Sequence, residues 1–505
     1  MGPSGTDTLR LLAAASPVLV IAVLVIFLNM SALGLSLWGL LLTSVIACTL
    51  FHTPFTTILL GALDGVITTL PLLLIVFFGI MLSVLLIRTG ALPRVVNGLS
   101  GRFRHRMHQV SAICFGIENF VAGAGIIAEP IIAPTLKAIG LPAKSAAILA
   151  SWGYSGVMSF SLAGAFLLIL SLVTGLDLHK LAVTAAVISL VPTLMCGILL
   201  PLVVGKRELA KGHMLFNACI ALACAVLVLV FVVYTSSSAA CMLAGIAVLA
   251  GTLFLSRATP GLSAFRLADL APFLILIACL TAVNMYPPLR SLASRRLVIS
   301  LSVLPAHVVT IRPLMDAYTY LVVAIAVSLW AFKIGRREFR EIAKTTANST
   351  LKAVAAMMIF GAMGQIIAFT GYGSTGGSFS RADNIPYVLA SGLSNMSGSF
   401  YPIFAPVLGW IGTFLTGYGA LSIMIFGRLQ VEIAQFLHVS PEVLSAAMMV
   451  GSGIGSISSP FKMAIAASLV GAVGKEGEIL RKTIPLGIAI SLITGVWTYL
   501  VMHFR

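Results

Sequence analysis

Two glutamates, Glu118 and Glu129, flank the segment Phe120-Val121-Ala122-Gly123-Ala124-Gly125. A second segment of the same Phe-x-x-Gly-x-Gly form, Phe414-Leu415-Thr416-Gly417-Tyr418-Gly419, recurs about 294 residues later. Glycines let a backbone approach a ligand closely and curl its N–H groups into an anion-binding nest. Helix N-termini at such breaks add partial positive charge, which suits a carboxylate. A carboxyl kept from water beside a bound anion is a group able to take up a proton. The candidate substrate contacts are therefore Gly123 and Gly125 in the first copy and Thr416, Gly417 and Gly419 in the second; Glu118 and Glu129 are the candidate proton-coupling groups. For a single G-x-G, close helix packing is the simpler explanation. The repetition shifts the balance toward a site.

Other polar residues stand in apolar, glycine-punctuated stretches. Tyr154, Ser159, Ser458 and Ser459 offer hydroxyls to a substrate, or else bond backbone carbonyls. Ionisable side chains inside apolar runs are costly and by default functional. Arg428 and Lys462 are the candidates to balance an anion's charge; the alternatives are a helical ion pair of Arg428 with Glu432, four residues on, and snorkelling of Lys462 to an interface. Asp64 reads as interfacial. The seven cysteines (48, 114, 196, 219, 224, 241 and 279) show no CxxC and read as small buried hydrophobes rather than disulfides or ligands. No nucleophilic triad, Walker motif or HExxH is visible, so neither an enzyme nor an ATP-driven pump is supported, and no cofactor or metal ion is expected.

The elements that must position these residues are membrane helices. Of 505 residues, 59% are hydrophobic and 9% charged, with mean hydropathy +1.09. Soluble domains carry about 25% charged residues, and runs of roughly 18 apolar residues cross a bilayer. The fold class expected is all-α: a polytopic membrane protein of about 12 transmembrane helices plus two re-entrant hairpins. Spans are expected near 13–30, 35–51, 69–88, 144–173, 180–204, 214–234, 239–256, 270–287, 316–333, 351–370, 441–470 and 483–503. The net charge of +16 sits in short loops, where positive-inside topology accounts for it without nucleic acid.

Those loops also orient the chain. The clusters Arg88, Arg94, Arg102, Arg104 and Arg106; Lys206, Arg207 and Lys211; Arg257 and Arg266; and Lys333 through Lys352 share one face only if 109–140 enters and leaves on the same side. The same logic applied to 403–438 makes the two units enter from opposite sides, an inverted-topology repeat. The organisation expected is N-terminal helices over 1–68, repeat 1 over 69–204, connecting helices over 205–350 and repeat 2 over 351–505. Both termini then face outward. Arg290, Arg295, Arg296 and Arg312 dissent, and the polar stretch 371–400 has no assigned place.

The second half resembles the L-lactate permease family in Phe404-Ala405-Pro406-Val407-Leu408-Gly409-Trp410-Ile411-Gly412-Thr413-Phe414-Leu415-Thr416-Gly417. The likeness continues through Leu429-Gln430, Ser459-Pro460 and Leu469 to Glu476. In the first half, Phe115-Gly116, Glu118 to Gly125, Ala146-Ala147, Phe160 to Gly164 and Val173 to Asp177 are similar too. The resemblance implies proton symport of lactate or glycolate across a bacterial inner membrane, in a two-hairpin fold related to the ion-transporter superfamily. The partners expected are a small carboxylate, protons or Na⁺, and the lipid bilayer, with a homodimer left open. Sodium coupling is the alternative carrier, and an anion channel or a non-transporting scaffold is the alternative class. Departures fall where substrate would bind. The family's Ser-Asp-Thr-Ser-Ser-Asn run is Tyr418-Gly419-Ala420-Leu421-Ser422-Ile423, its Gly-Lys before Ser459-Pro460 is Gly455-Ser456, and its Asn-Thr-Ala-Pro is Tyr154-Ser155-Gly156-Val157. A less hydroxylated cargo fits those changes.

Overall fold

The computed structural model describes all residues except 1–4, 29, 101–102, 104, 206–210, 258–265, 305–306, 374–378 and 504–505. Arg102, Arg104, Lys206 and Arg207 of the basic clusters lie outside the described residues. The chain is helical almost throughout. Among the described residues, twelve helical segments are long and apolar enough to cross a membrane.

Two helices of equal length, Phe55–Arg88 and Arg336–Phe369, pack along each other near the centre. Small residues permit the approach: a Cβ on Gly65 would fall 2.3 Å from the Gly361 carbonyl oxygen. Close backbone contact of this kind stands in for the hydrophobic effect, which does not drive helices together in lipid. Each long helix opens the same series of elements. A short helix follows (Ala91–Ser100; Ile385–Ser397), then a helical hairpin, then a broken helix, then a long closing helix (Leu178–Val204; Glu476–His503).

The first hairpin descends through Arg106–Ser111, a π-helical turn Ala112–Ile117 and Glu118–Gly123, reverses, and returns as Glu129–Ala138. Gly125, at φ +84°, makes the reversal, and Pro130 starts the second arm where its missing N–H costs nothing. The second hairpin is Tyr401–Thr416 and Gly419–Leu437, reversed at Gly417, whose φ is +85°. The first broken helix runs Ala143–Leu149, turns through 150–154, continues as 3₁₀ pieces and ends in Ala165–Thr174. The second is Pro441–Ile454, Gly455–Ser458 and, after the extended Ser459, Pro460–Val470.

The two units interlock with mirrored contacts. Pro460–Val470 packs on Glu129–Ala138 and Ala143–Leu149; its counterpart Ala165–Thr174 packs on Gly419–Leu437 and Pro441–Ile454. Each broken helix's last part therefore lies beside the other's first part, and the breaks meet where Ser151 Oγ donates to the Ser456 carbonyl at 3.4 Å. That is the antiparallel pairing of an inverted repeat.

Several expectations are corrected. The segment 144–173 is broken rather than one span, as the non-helical φ/ψ of Val157 and Ala163 require. The helix expected over 13–30 lies within Gly5–Leu28, whereas the one expected over 316–333 is Ala317–Ala331, 15 residues long and short of spanning length; Ile385–Thr416, which includes the first arm of the second hairpin, and the second arm, Gly419–Leu437, reach it instead. A two-stranded ribbon, β1 (Ile299–Leu304) and β2 (His307–Ile311), occupies a region with no expected strand. Asp64 is fully buried, not interfacial. Cys48 and Cys219 are exposed, whereas Cys114, Cys196, Cys224 and Cys241 are buried as expected.

Candidate functional site

Between the two hairpin tips and the two broken helices lies a narrow cavity. Ile126 to Glu129 come from the first tip and Tyr418 with Gly419 from the second. Tyr154, Met158 and Phe166 belong to the first broken helix, and Phe461, Lys462 and Ile465 to the second. Glu129 starts the returning arm of hairpin 1 because Pro130 fixes the first helical turn there. Lys462 stands in the first turn of Pro460–Val470, whose Ser459 cap, Ser459-Pro460 start and break leave its side chain at the junction.

Three charged and polar groups converge on one wall. Tyr154 OH donates to Glu129 Oε1 at 2.8 Å, and Lys462 Nζ lies 3.3 Å from the same oxygen. Lys462 also donates to Tyr154 OH and, at 3.2 Å, to Ser456 Oγ, with its ammonium 4.9 Å from the centre of the Tyr154 ring. The side chains of Lys462 and Glu129 are 12% and 4% exposed, so this is a buried pair rather than a snorkelling lysine. The rest of the cavity is largely apolar: Ile126, Ile127, Leu162, Phe166, Phe461 and Ile465. Ser161 also lines it, but its hydroxyl is already spent on the Met158 carbonyl at 2.8 Å.

Glu118 lies behind this wall. It is fully buried, and its Oε2 accepts the Gly153 N–H at 3.2 Å, while Oε1 has no hydrogen-bond partner. Asn119 braces the same break by donating to the Gly153 carbonyl at 3.2 Å. The π-helical turn just before Glu118 is a device often found at functional sites.

Of the residues singled out by sequence, Glu129, Tyr154, Gly419 and Lys462 line the cavity. The others do not. Gly123 packs on the helix Ser237–Leu255, where a Cβ would fall 2.5 Å from the Met242 amide nitrogen. The Gly125 carbonyl is pressed against Gly79. Ser159 is buried without a hydrogen-bond partner for its hydroxyl. Thr416 bonds the Gly412 and Tyr418 carbonyls, and Ser459 the Gly417 carbonyl. Ser458 accepts from Trp410 and donates to the Thr483 carbonyl. Gly417 shapes the turn. Arg428 pairs with Glu432 at 3.3 Å and lines a separate cavity with Arg381 and Tyr387. Sequence reasoning missed Ser456, Met158 and Tyr418; only the position of Tyr418 inside the second glycine motif signalled one of them.

A family model described as L-lactate permease matches residues 10–504. The chain belongs to the L-lactate permease family. The L-lactate permease of Escherichia coli (strain K12) is 36% identical over 156 residues, 31% of this chain and 26% of that one. The glycolate permease GlcA of the same organism is 38% identical over 104 residues, 21% of this chain and 19% of that one. The match thus spans between about a fifth and a quarter of the length of these relatives. The YdaH transporter of Alcanivorax borkumensis shares the fold, with a TM-score of 0.52 at 14% identity, covering 94% of this chain and 99% of that chain. This member of the family is a multi-pass membrane protein, as the twelve apolar helical segments among its described residues require.

Proposed function

We propose that the protein carries small monocarboxylates, lactate- or glycolate-like, across the cell's inner membrane in symport with protons. The observation that carries this is the Glu129–Lys462–Tyr154 cluster on the wall of a cavity enclosed by both repeats. Lys462 supplies the only cation among the cavity's lining residues, and Glu129 pairs with it. A substrate carboxylate must therefore displace Glu129. If both stayed ionised, the site would hold two negative charges against one positive, and an uncompensated buried charge costs several kcal/mol. A proton on Glu129 removes the surplus and frees Lys462 for the substrate. One proton per carboxylate keeps the buried site neutral. Glu118, also buried and with an unpartnered oxygen, is a second acceptor on the same path.

The apolar remainder of the cavity favours a short alkyl chain with few hydroxyls. Of the motif glycines, Gly419 alone lines the cavity, and the others position its wall. The repeats expected at 69–204 and 351–505 are read as opening earlier, at Phe55 and Arg336 where the two matching long helices begin, with the basic loops cytoplasmic and both termini outside.

Uptake of a panel of labelled monocarboxylates into proteoliposomes, with pH and Na⁺ gradients imposed separately, tests the proposal. Accumulation driven by the pH gradient alone is expected. Accumulation that needs Na⁺ would replace the coupling ion, and currents without gradient-driven accumulation would mark a channel.

A further inference from the structure

A second buried acid lies outside the carrier cavity. Asp64, on the long helix Phe55–Arg88, is 0% exposed. Its Oδ2 lies 2.8 Å from His307 Nδ1 and accepts from Thr68 Oγ1 at 3.4 Å, while Oδ1 has no hydrogen-bond partner. His307 is the first residue of β2, and its side chain is 17% exposed. Its other nitrogen, Nε2, lies 3.2 Å from the Leu172 carbonyl oxygen, near the end of Ala165–Thr174. One imidazole thus ties the ribbon to both the central helix and the first broken helix.

The bond network fixes the proton count. A carbonyl oxygen only accepts, so Nε2 carries an N–H. In a neutral ring Nδ1 is then a bare acceptor, and a bare nitrogen facing an ionised carboxylate sets lone pair against lone pair. A contact of 2.8 Å therefore holds one more proton, on Nδ1 as an imidazolium or on Asp64 Oδ2 as a neutral acid. Either way the pair shares a single exchangeable proton.

The other facing groups are few. β1 and Ala165–Thr174 bring no ionisable side chain, β2 brings only His307, and the Phe369 ring stands 5.9 Å away. Arg428 of the second hairpin is the further charge His307 feels. Burial opposes a charged ring, as does Arg428; the bond to Asp64 and its charge, with the Leu172 carbonyl, outweigh both and hold the imidazole above its ordinary range.

We propose that Asp64 and His307 form a proton-binding dyad, distinct from the carrier cavity, whose shared proton holds the β1–β2 ribbon against the helical core. Loss of that proton leaves Nδ1 and the carboxylate repelling each other. The ribbon then releases from Asp64 and Leu172 together.

Hydrogen–deuterium exchange of the full-length protein in nanodiscs, corrected for intrinsic base catalysis, reads the docking. In the wild type, protection of 307–311 is expected to fall about tenfold or more between about pH 6 and about pH 9, on either side of the imidazole range. Asp64→Asn supplies an amide N–H to a bare Nδ1, so protection should persist at both pH values. His307→Ala should leave the ribbon unprotected at both. Exchange in Glu476–His503, which packs on Tyr401–Thr416 and Pro441–Ile454 rather than on the ribbon, serves as the folding control. Equal wild-type protection at the two pH values overturns the proposal without recourse to any variant. So does an Asp64→Asn protein that keeps the wild-type pH response.

Discussion

At the scale of single residues, charge balance makes the sharpest demands. Lys462→Met removes the cation and leaves Glu129 buried beside Tyr154 alone, a loss of about 3–5 kcal/mol for a broken buried pair. Uptake should vanish and thermal stability should drop; Lys462→Met with Glu129→Gln should recover much of the stability, because no lone charge remains, but none of the uptake. Equal stability of the single and double variants would show that the pair is not energetically coupled. Glu129→Gln alone imitates the protonated site. It should keep substrate exchange between equally loaded compartments and lose accumulation driven by a pH gradient, since linkage makes proton and substrate affinities reciprocal and Gln cannot take up or release the proton. If Glu129→Gln and Glu118→Gln each leave pH-driven accumulation intact, the proton travels elsewhere. Glu129, Tyr154 and Lys462 were each legible in the sequence as polar groups in broken apolar runs. Their convergence was not, because Tyr154 and Lys462 are 308 residues apart and no local period records such a contact.

At the scale of elements, matching glycine motifs do different work. Gly417 and Gly419 turn the second hairpin beside the cavity. A Cβ on Gly417 would demand a left-handed backbone and meet Phe461 Cβ at 3.0 Å; on Gly419 it would meet Met158 Cε at 2.6 Å. Both contacts are with cavity-lining side chains, so Gly417→Val and Gly419→Val should insert normally and lose most uptake in reconstituted vesicles. Gly123 instead presses on the backbone of Met242, which cannot give way. Gly123→Ala should therefore lower thermal stability, by about 1–3 kcal/mol for overpacking, with transport per folded molecule largely kept. Normal stability would mean that the interface with Ser237–Leu255 opens readily. The motif's repetition revealed the two reversals but not which glycines face the cavity, since facing depends on the partner helix. The ribbon was illegible for a related reason: β1 and β2 are short, set among arginines, and their docking rests on His307 reaching a distant Asp64.

At the scale of the whole molecule, two equal long helices packed antiparallel bring their basic ends to one face. Arg88, ending Phe55–Arg88, meets Glu341, near the start of Arg336–Phe369, at 3.3 Å. On that face Arg94 also binds Asp269 at 2.6 Å, and Lys144 binds Glu478 at the start of the closing helix. Charge placement in the sequence therefore foretold which loops cluster, because the positive-inside bias and the fold answer to the same membrane. The closing helix Glu476–His503 starts on the basic face and ends on the other, and Arg10 of the first helix lies 3.8 Å from Asp383, which follows the far end of Arg336–Phe369. Arg10 and His503 thus lie toward the face opposite the ion pairs of Arg88, Arg94 and Lys144, a face we propose is the outer one. In a variant lacking the exposed Cys48 and Cys219, a cysteine at His503 should react with a membrane-impermeant thiol reagent in intact cells. A cysteine at Gly474, in the loop before the closing helix, should react only after permeabilisation. The reverse pattern would turn the molecule over in the membrane and put the Asp64–His307 ribbon in the cytoplasm. Labelling of both sites from one side would break the closing helix's span, and with it the inverted pairing of the two repeats.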